Sequence, residues 1–155
     1  MSTAPNDDER SERIVVGIDG SGPSRAALAW AAAQAALTAA PLTVVTSWSY
    51  PTSSGFLVTW PDGVDFGADA RTEQDESVRD VLGSEPAIAV STAVIEGNPS
   101  LVLVEESKTA SLIVVGSRGH GAFTGMLLGS VSEFLATHAH CPVVIVRGDG
   151  EGDAP

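Results

Sequence analysis

Five glycines lie within the fourteen positions from Gly116 to Gly129, directly before a segment that predicts a helix. Glycine allows backbone N–H groups to turn inward and to approach a phosphate closely. Ser130 follows at the point where its hydroxyl and the first free N–H groups of a helix would meet an anion, helped by about half a positive charge from the helix dipole. The segment from Gly116 to Ser130 is therefore predicted to be a phosphate-binding turn.

Three charged residues could complete such a site. Arg118 and His120 lie inside the turn and could offset phosphate charge, or they could be solvated loop residues. Asp19 ends a β-branched run, where its carboxylate could accept hydrogen bonds from an adenine or a ribose, help to hold magnesium, or form an Asx cap of a turn. The residues alone leave these alternatives open.

Other phosphate-binding motifs are missing or incomplete. The only lysine, Lys108, falls within a predicted helix, which excludes a Walker A motif. The glycines of Gly17-x-x-Gly20-x-Gly22 are in the wrong order for a dinucleotide-binding turn, and no acidic residue ends the second predicted strand. No general base is evident beside the glycine-rich turn, so no catalytic residue is assigned and any hydrolysis of a bound phosphate ester or anhydride should be slow or incidental.

Strands and helices alternate along the chain and must position this turn. The hydrophobic pattern predicts strands over residues 13–19, 42–48, 87–95, 111–115 and 143–147. It predicts helices starting at residue 24 and over residues 68–82, 99–108 and 130–140, with a long loop at 51–67. Asn98 is a candidate N-cap before Pro99, and Ser130 with Glu133 has the spacing of a capping box.

This alternation predicts an α/β fold in which a five-stranded parallel sheet is covered by helices on both faces. Such a sheet is doubly wound, in the Rossmann-like or flavodoxin-like manner. Ligands of these folds bind beyond the carboxyl ends of the strands, at the point where the strand order reverses. The turn that begins at Gly116 follows the fourth strand and is expected at that edge.

Length and composition predict one domain and limit its partners. The 155 residues suit a single domain at 13–147, between disordered tails at 1–12 and 148–155. A formal net charge of −12 disfavours nucleic-acid binding, because phosphate neutralisation needs a basic face. One cysteine, the absence of an apolar N-terminal stretch and the absence of a membrane span predict a cytoplasmic protein.

The chain also resembles a known family. The spacing Gly116-x-x-Gly119, nine residues, then Gly129-Ser130 is similar to the glycine motif of the ATP-binding branch of the universal stress protein family. Further similar segments are V-V-G-I-D-G-S, I-E-G-N-P, L-I-V-V-G-S-R-G-H-G, L-L-G-S-V-S and C-P-V-V-I-V, which together span nearly the whole predicted domain.

The resemblance implies a set of nucleotide-binding residues. Phosphates and ribose would lie against Gly116, Gly119, Gly129, Ser130 and Val131. Asp19 and Ser47 would hold the adenosine side. Arg118 and His120 of the turn and Gly97 of the I-E-G-N-P segment complete the predicted set.

The resulting hypothesis is a regulator that binds ATP and magnesium and acts through an unidentified protein partner. The resemblance further implies a homodimer joined along residues 142–147. Three alternatives stay open at this point. They are a slow ATPase or nucleotidyl-transfer enzyme that uses Asp19 and magnesium, a sensor of cyclic AMP or AMP, and a scaffold whose glycine-rich turn binds nothing.

Overall fold

β-branched runs and helix-forming segments alternate as expected in the computed structural model, which describes residues 11–50, 60–120 and 127–148. The strands within these ranges are β1 (Ile14–Gly17), β2 (Leu42–Trp48), β3 (Val90–Glu96), β4 (Leu112–Gly116) and β5 (Val143–Val146). The helices are α1 (Gly22–Thr38), α2 (Phe66–Leu82), α3 (Pro99–Ser107) and α4 (Ser130–His138).

The five strands form one sheet in the order β3-β2-β1-β4-β5, and every pairing is parallel. The strand order reverses at β1, which pairs with β2 on one side and with β4 on the other. The loops that follow β1 and β4 therefore leave the same edge of the sheet side by side. The predicted doubly wound α/β fold is confirmed.

The centre of the sheet is buried on both faces. Successive residues of a strand point to opposite faces, and Val15 and Val16 of β1 are both fully buried, so each face is covered there. Val16 belongs to a core that α1 and α2 cover, whereas Val15 packs in a second core with residues of α3 and α4. This double cover accounts for the wholly apolar sequences of β1 and β4.

Several predicted boundaries were wrong by a few residues, each for an identifiable reason. α1 begins at Gly22 and not at residue 24, because Ser21 is its N-cap and accepts a hydrogen bond from a first-turn amide. β3 begins at Val90 and not at residue 87, since Val90 is the partner of Leu42, the first residue of β2. α4 ends at His138 and not at residue 140, because Ala139 is extended.

The loop predicted at 51–67 ends two residues earlier than expected, because α2 begins at Phe66. Asp65 caps α2, with its side chain accepting a hydrogen bond from the Ala68 amide, so Phe66 and Gly67 are helical. Residues 51–59 lie outside the described ranges. So do residues 1–10 and 149–155 of the predicted tails, and the predicted disorder of those tails stays a prediction.

In the ranges that are described, no helix combines the length and the apolar character needed to cross a membrane.

Candidate functional site

A crevice of about 330 Å³ opens at the carboxyl edge of the sheet, where the loops after β1 and β4 meet. Its volume lies near the lower end of the range found for small-molecule sites. Nine of the ten predicted nucleotide-binding residues line it: Asp19, Ser47, Gly116, Arg118, Gly119, His120, Gly129, Ser130 and Val131.

Gly97, the tenth predicted residue, is not among the described residues that line the crevice. It lies in the turn after β3 with a φ of +145°, a conformation that favours glycine. Its amide donates a hydrogen bond to the Trp48 carbonyl at 2.8 Å, and a Cβ atom at this position would lie 3.1 Å from Val102. These contacts give Gly97 a role in the turn itself.

Part of the crevice wall is apolar and is called the apolar floor below. It is formed by Ile18, Val45, Pro99, Leu103 and Val115, none of which was predicted from the sequence as a site residue. Such residues look like ordinary core in a sequence. The one available signal was periodicity, because residue 45 lies two positions before residue 47 on β2 and must point to the same face.

Asp19 connects the two loops that bound the crevice. Its Oδ1 accepts hydrogen bonds from the amide and the hydroxyl of Ser21, and its Oδ2 accepts one from the His120 amide at 2.9 Å. Burial by itself raises the pKa of Asp19, but these hydrogen bonds and the nearby His120 ring outweigh burial and hold the pKa below its usual range. Asp19 is thus a carboxylate in the folded protein and also forms the Asx turn that its position allowed.

Three backbone amides of the glycine-rich turn donate hydrogen bonds to other groups of the protein. The Ser117 amide donates to the Val146 carbonyl at 2.8 Å, the Gly129 amide donates to the Ser117 carbonyl at 2.6 Å, and the His120 amide donates to Asp19. These three amides do not point free at a ligand. Residues 121–126 of the predicted turn, including Gly121 and Gly125, lie outside the described ranges.

The first turn of α4 offers the backbone donors that face the crevice. The amides of Val131 and Ser132 have no hydrogen-bond partner among the described residues, as expected for the start of a helix. Both residues line the crevice beside Ser130. Together with the helix dipole, they make this end of the crevice suitable for an anionic group.

The capping box predicted for α4 was wrong. Gly129 is the N-cap residue, and no side chain caps the helix. The buried hydroxyl of Ser132 instead donates to the carbonyls of Ser117 and Gly129, at 2.9 and 3.1 Å. Since Ser130 is the first helical residue and not the cap, its exposed side chain lies at the crevice without a capping role.

Protein contacts explain why each glycine of the motif lacks a side chain. A Cβ atom on Gly116 would lie 2.7 Å from the carbonyl carbon of Pro23, in the first turn of α1. One on Gly119 would collide with Oδ2 of Asp19, and one on Gly129 would lie 3.3 Å from Cα of Arg118. None of these three glycines has a positive φ, so close packing and not backbone conformation opposes a side chain, most strongly at Gly116 and least at Gly129.

The two predicted cations differ in their surroundings. Arg118 is half-buried and lines the crevice. The His120 ring is 68% exposed, with Nε2 3.9 Å from a carboxylate oxygen of Glu73 in α2. Arg118 is therefore enclosed with the site, whereas the His120 side chain points to the rim between the crevice and α2.

Comparisons with known proteins agree with this architecture. Residues 10–147 match the profile of the universal stress protein family. A universal stress protein of Mycolicibacterium smegmatis is 37% identical over 146 residues, which are 89% of this chain and 49% of that protein. The chain spans about half the length of the curated relatives it matches.

Solved structures show the same fold. The universal stress protein UspA from Lactobacillus plantarum superposes with a TM-score of 0.71 at 23% identity, over 89% of this chain and 99% of that one. A universal stress protein solved in complex with cAMP has a TM-score of 0.65 at 27% identity, over 88% of this chain and 97% of that one. By its family match, its sequence similarity and its fold, the chain belongs to the universal stress protein family.

Proposed function

We propose that the crevice binds an adenine nucleotide and that its occupancy regulates the interaction of the protein with a partner. The main support is that nine residues selected from the sequence meet around one cavity, at the edge where ligands bind in doubly wound folds. The relative that was solved with cAMP adds weight to an adenine nucleotide as the ligand class.

The two ends of the crevice suit the two ends of a nucleotide. Ser130, Val131 and Ser132 place a hydroxyl and helix N-terminal amides at one end, where Arg118 adds a positive charge. The apolar floor near Val45 lies toward the end of β2, where a flat base would bury its faces. The phosphates are assigned to the α4 end and the adenosine to the β2 end, beside Ser47.

ATP with magnesium is the proposed ligand, with AMP and cyclic AMP as its competitors. Asp19 is the only carboxylate among the described residues that line the crevice, and the described chain holds no cluster of three or more potential metal ligands. A magnesium ion at this site would therefore take most of its oxygen ligands from the phosphates and water, which suits its coordination chemistry. Bound in that way, it would neutralise phosphate charge beyond what Arg118 and the first turn of α4 offset.

Calorimetric titration with ATP, AMP and cyclic AMP, each with and without magnesium, tests this function. We expect binding of at least one of these nucleotides, and mass spectrometry of the purified protein should identify any nucleotide that remains bound. No heat and no shift in thermal stability at millimolar nucleotide would refute the proposal.

Ser130→Asp is a sharper test because it separates binding from folding. A carboxylate in the first turn of α4 favours the helix dipole, so stability should be unchanged or slightly raised. The same carboxylate repels phosphate, and the loss of a charge-assisted contact should weaken ATP binding by about tenfold or more. Ser84→Asp is the matched control, since Ser84 is exposed beyond the end of α2 and away from the crevice. Equal affinity in the two variants would place the phosphates elsewhere.

A homodimer through residues 142–147 is the proposed assembly, and the cytoplasm is the proposed location. β5 forms one edge of the sheet, and its four residues, all Val or Ile, are only half-buried. An apolar edge of this kind is a site for pairing with another chain. Light scattering should give a mass of twice 15.8 kDa at all but the lowest concentrations. A monomer throughout would refute the dimer without affecting the nucleotide site.

A further inference from the structure

Asp19 joins segments that are far apart in the chain. One carboxylate oxygen is bonded to Ser21, at the start of α1, and the other is bonded to the His120 amide, 101 residues away in sequence from Asp19. The segment Arg118–Gly119 that leads to His120 forms part of the crevice wall. The position of this wall thus depends on a hydrogen bond that a carboxylate accepts from the backbone.

Gly119 shows that the contact is close. A Cβ atom on this residue would collide with Oδ2 of Asp19, although the backbone of Gly119 is in a region open to any residue. A side chain at this position would therefore have to displace the carboxylate from its hydrogen bonds. Gly119 and Asp19 therefore depend on each other, since the carboxylate occupies the space that a side chain at residue 119 would need.

Asp19 has little capacity left for a ligand. A carboxylate offers about four lone-pair positions. Three are occupied by the Ser21 amide, the Ser21 hydroxyl and the His120 amide. A residue whose main task was to accept hydrogen bonds from a nucleoside would leave more of these positions open.

We infer that Asp19 is a positioning residue, which fixes the Gly119–His120 segment against the crevice and contributes to phosphate binding by holding that wall in place. The inference rests on the proposed nucleotide binding for its functional part. Its structural part, the bond between Asp19 and the His120 amide, holds or fails without any ligand.

Hydrogen exchange of the nucleotide-free protein tests the structural part. Asp19→Asn keeps the size of the side chain, but its single oxygen cannot accept from both Ser21 and His120. We expect exchange at the His120 amide to accelerate by about tenfold or more. Asp62→Asn, an exposed acid in the turn before α2, is the control with the same change of charge. Unchanged protection of His120 in Asp19→Asn would overturn the inference.

A double-mutant cycle tests the pairing of Asp19 with Gly119. Gly119→Ala should weaken AMP binding and expose the His120 amide, because the new methyl group displaces the carboxylate. In an Asp19→Ala background the same substitution should have little further effect, since the obstruction is gone. Additive effects in the two backgrounds would mean that Gly119 is required by the ligand and not by Asp19. That result would also overturn the inference.

Comparison of AMP with adenosine separates positioning from direct contact. If Asp19 acts through the wall, Asp19→Asn should lower AMP affinity and leave adenosine affinity nearly unchanged. An equal loss for both ligands would make Asp19 a direct nucleoside ligand and refute the positioning role. If the unmodified protein binds none of ATP, AMP, cyclic AMP and adenosine, the proposed function fails, and the exchange experiment still decides whether Asp19 holds the wall.

Discussion

Replacing Gly116 with alanine is predicted to destabilise the protein even when no nucleotide is present. Gly116 is the last residue of β4, and the first turn of α1 packs directly on it. The new Cβ atom would lie 2.7 Å from the Pro23 carbonyl carbon and 2.9 Å from the Ser24 amide nitrogen. Carbon atoms in contact prefer a separation of about 3.5 Å, so the overlap amounts to about 0.8 Å.

The loss of stability in Gly116→Ala depends on which atoms must move to make room for the new methyl group. They belong to the backbone at the start of a helix, and Pro23 restricts that backbone further. Overpacking of this kind costs about 1–3 kcal/mol. Replacing glycine with alanine also reduces the freedom of the unfolded chain, which returns about 0.4–1 kcal/mol. The expected net loss is about 1–2 kcal/mol in the free energy of unfolding, or a decrease in Tm of about 2–8 °C for a chain of this size.

Urea and thermal unfolding of the nucleotide-free protein measure this loss. Gly129→Ala is the graded comparison, because its Cβ atom would lie 3.3 Å from the nearest described atom and should cost less. If Gly116 existed only to let a phosphate approach, Gly116→Ala would weaken nucleotide binding and leave the stability of the empty protein unchanged. That outcome, or a larger loss for Gly129→Ala, would refute the packing argument.

Two further predictions concern helix capping and pH. Asn98 accepts hydrogen bonds from the Ser100 and Leu101 amides, so Asn98→Ala should cost about 1 kcal/mol in urea unfolding, whereas Ser130→Ala, which removes no cap, should be nearly neutral. Because the pKa of Asp19 is lowered by folding, the stability it contributes is present above about pH 4 and is lost as the pH falls through the lower folded-state pKa. The stability difference between the unmodified protein and Asp19→Asn should therefore be constant near neutral pH and shrink in acid; a difference that does not change with pH would contradict this assignment.

The sequence was sufficient for the fold because its signals are local. β-branched runs bounded by glycine and proline predicted all five strands, and double burial explains why β1 and β4 lack polar alternation. Two of the errors occurred where more distant residues decide the outcome. β3 begins where β2 supplies its partner at Leu42, and Ser132, not Ser130, forms the hydrogen bonds at the start of α4.

The site was predicted less completely, for the same reason. Spacing identified the turn that begins at Gly116, but sequence spacing does not show that Gly116 packs on α1 or that Gly119 packs on Asp19. The apolar floor was missed because residues such as Val45 and Leu103 have the character of core residues, and only the crevice beside them distinguishes them from core. Contacts between residues about 100 positions apart decide how the turn packs.

These contacts change what the glycine motif signifies. Gly116 and Gly119 pack closely against other parts of the protein, Gly129 does so less tightly, and three amides of the same turn are paired internally. The motif thus specifies first the shape of a crevice and the exposure of the α4 first turn at one end of it. The proposed nucleotide binding would then use the first turn of α4, where the amides of Val131 and Ser132 have no hydrogen-bond partner among the described residues, with the positive charge of Arg118 also on the crevice wall. A chain with a formal net charge of −12 would attract an anion in this way, because the only carboxylate among the described lining residues is held by three hydrogen-bond donors and the helix dipole acts at short range.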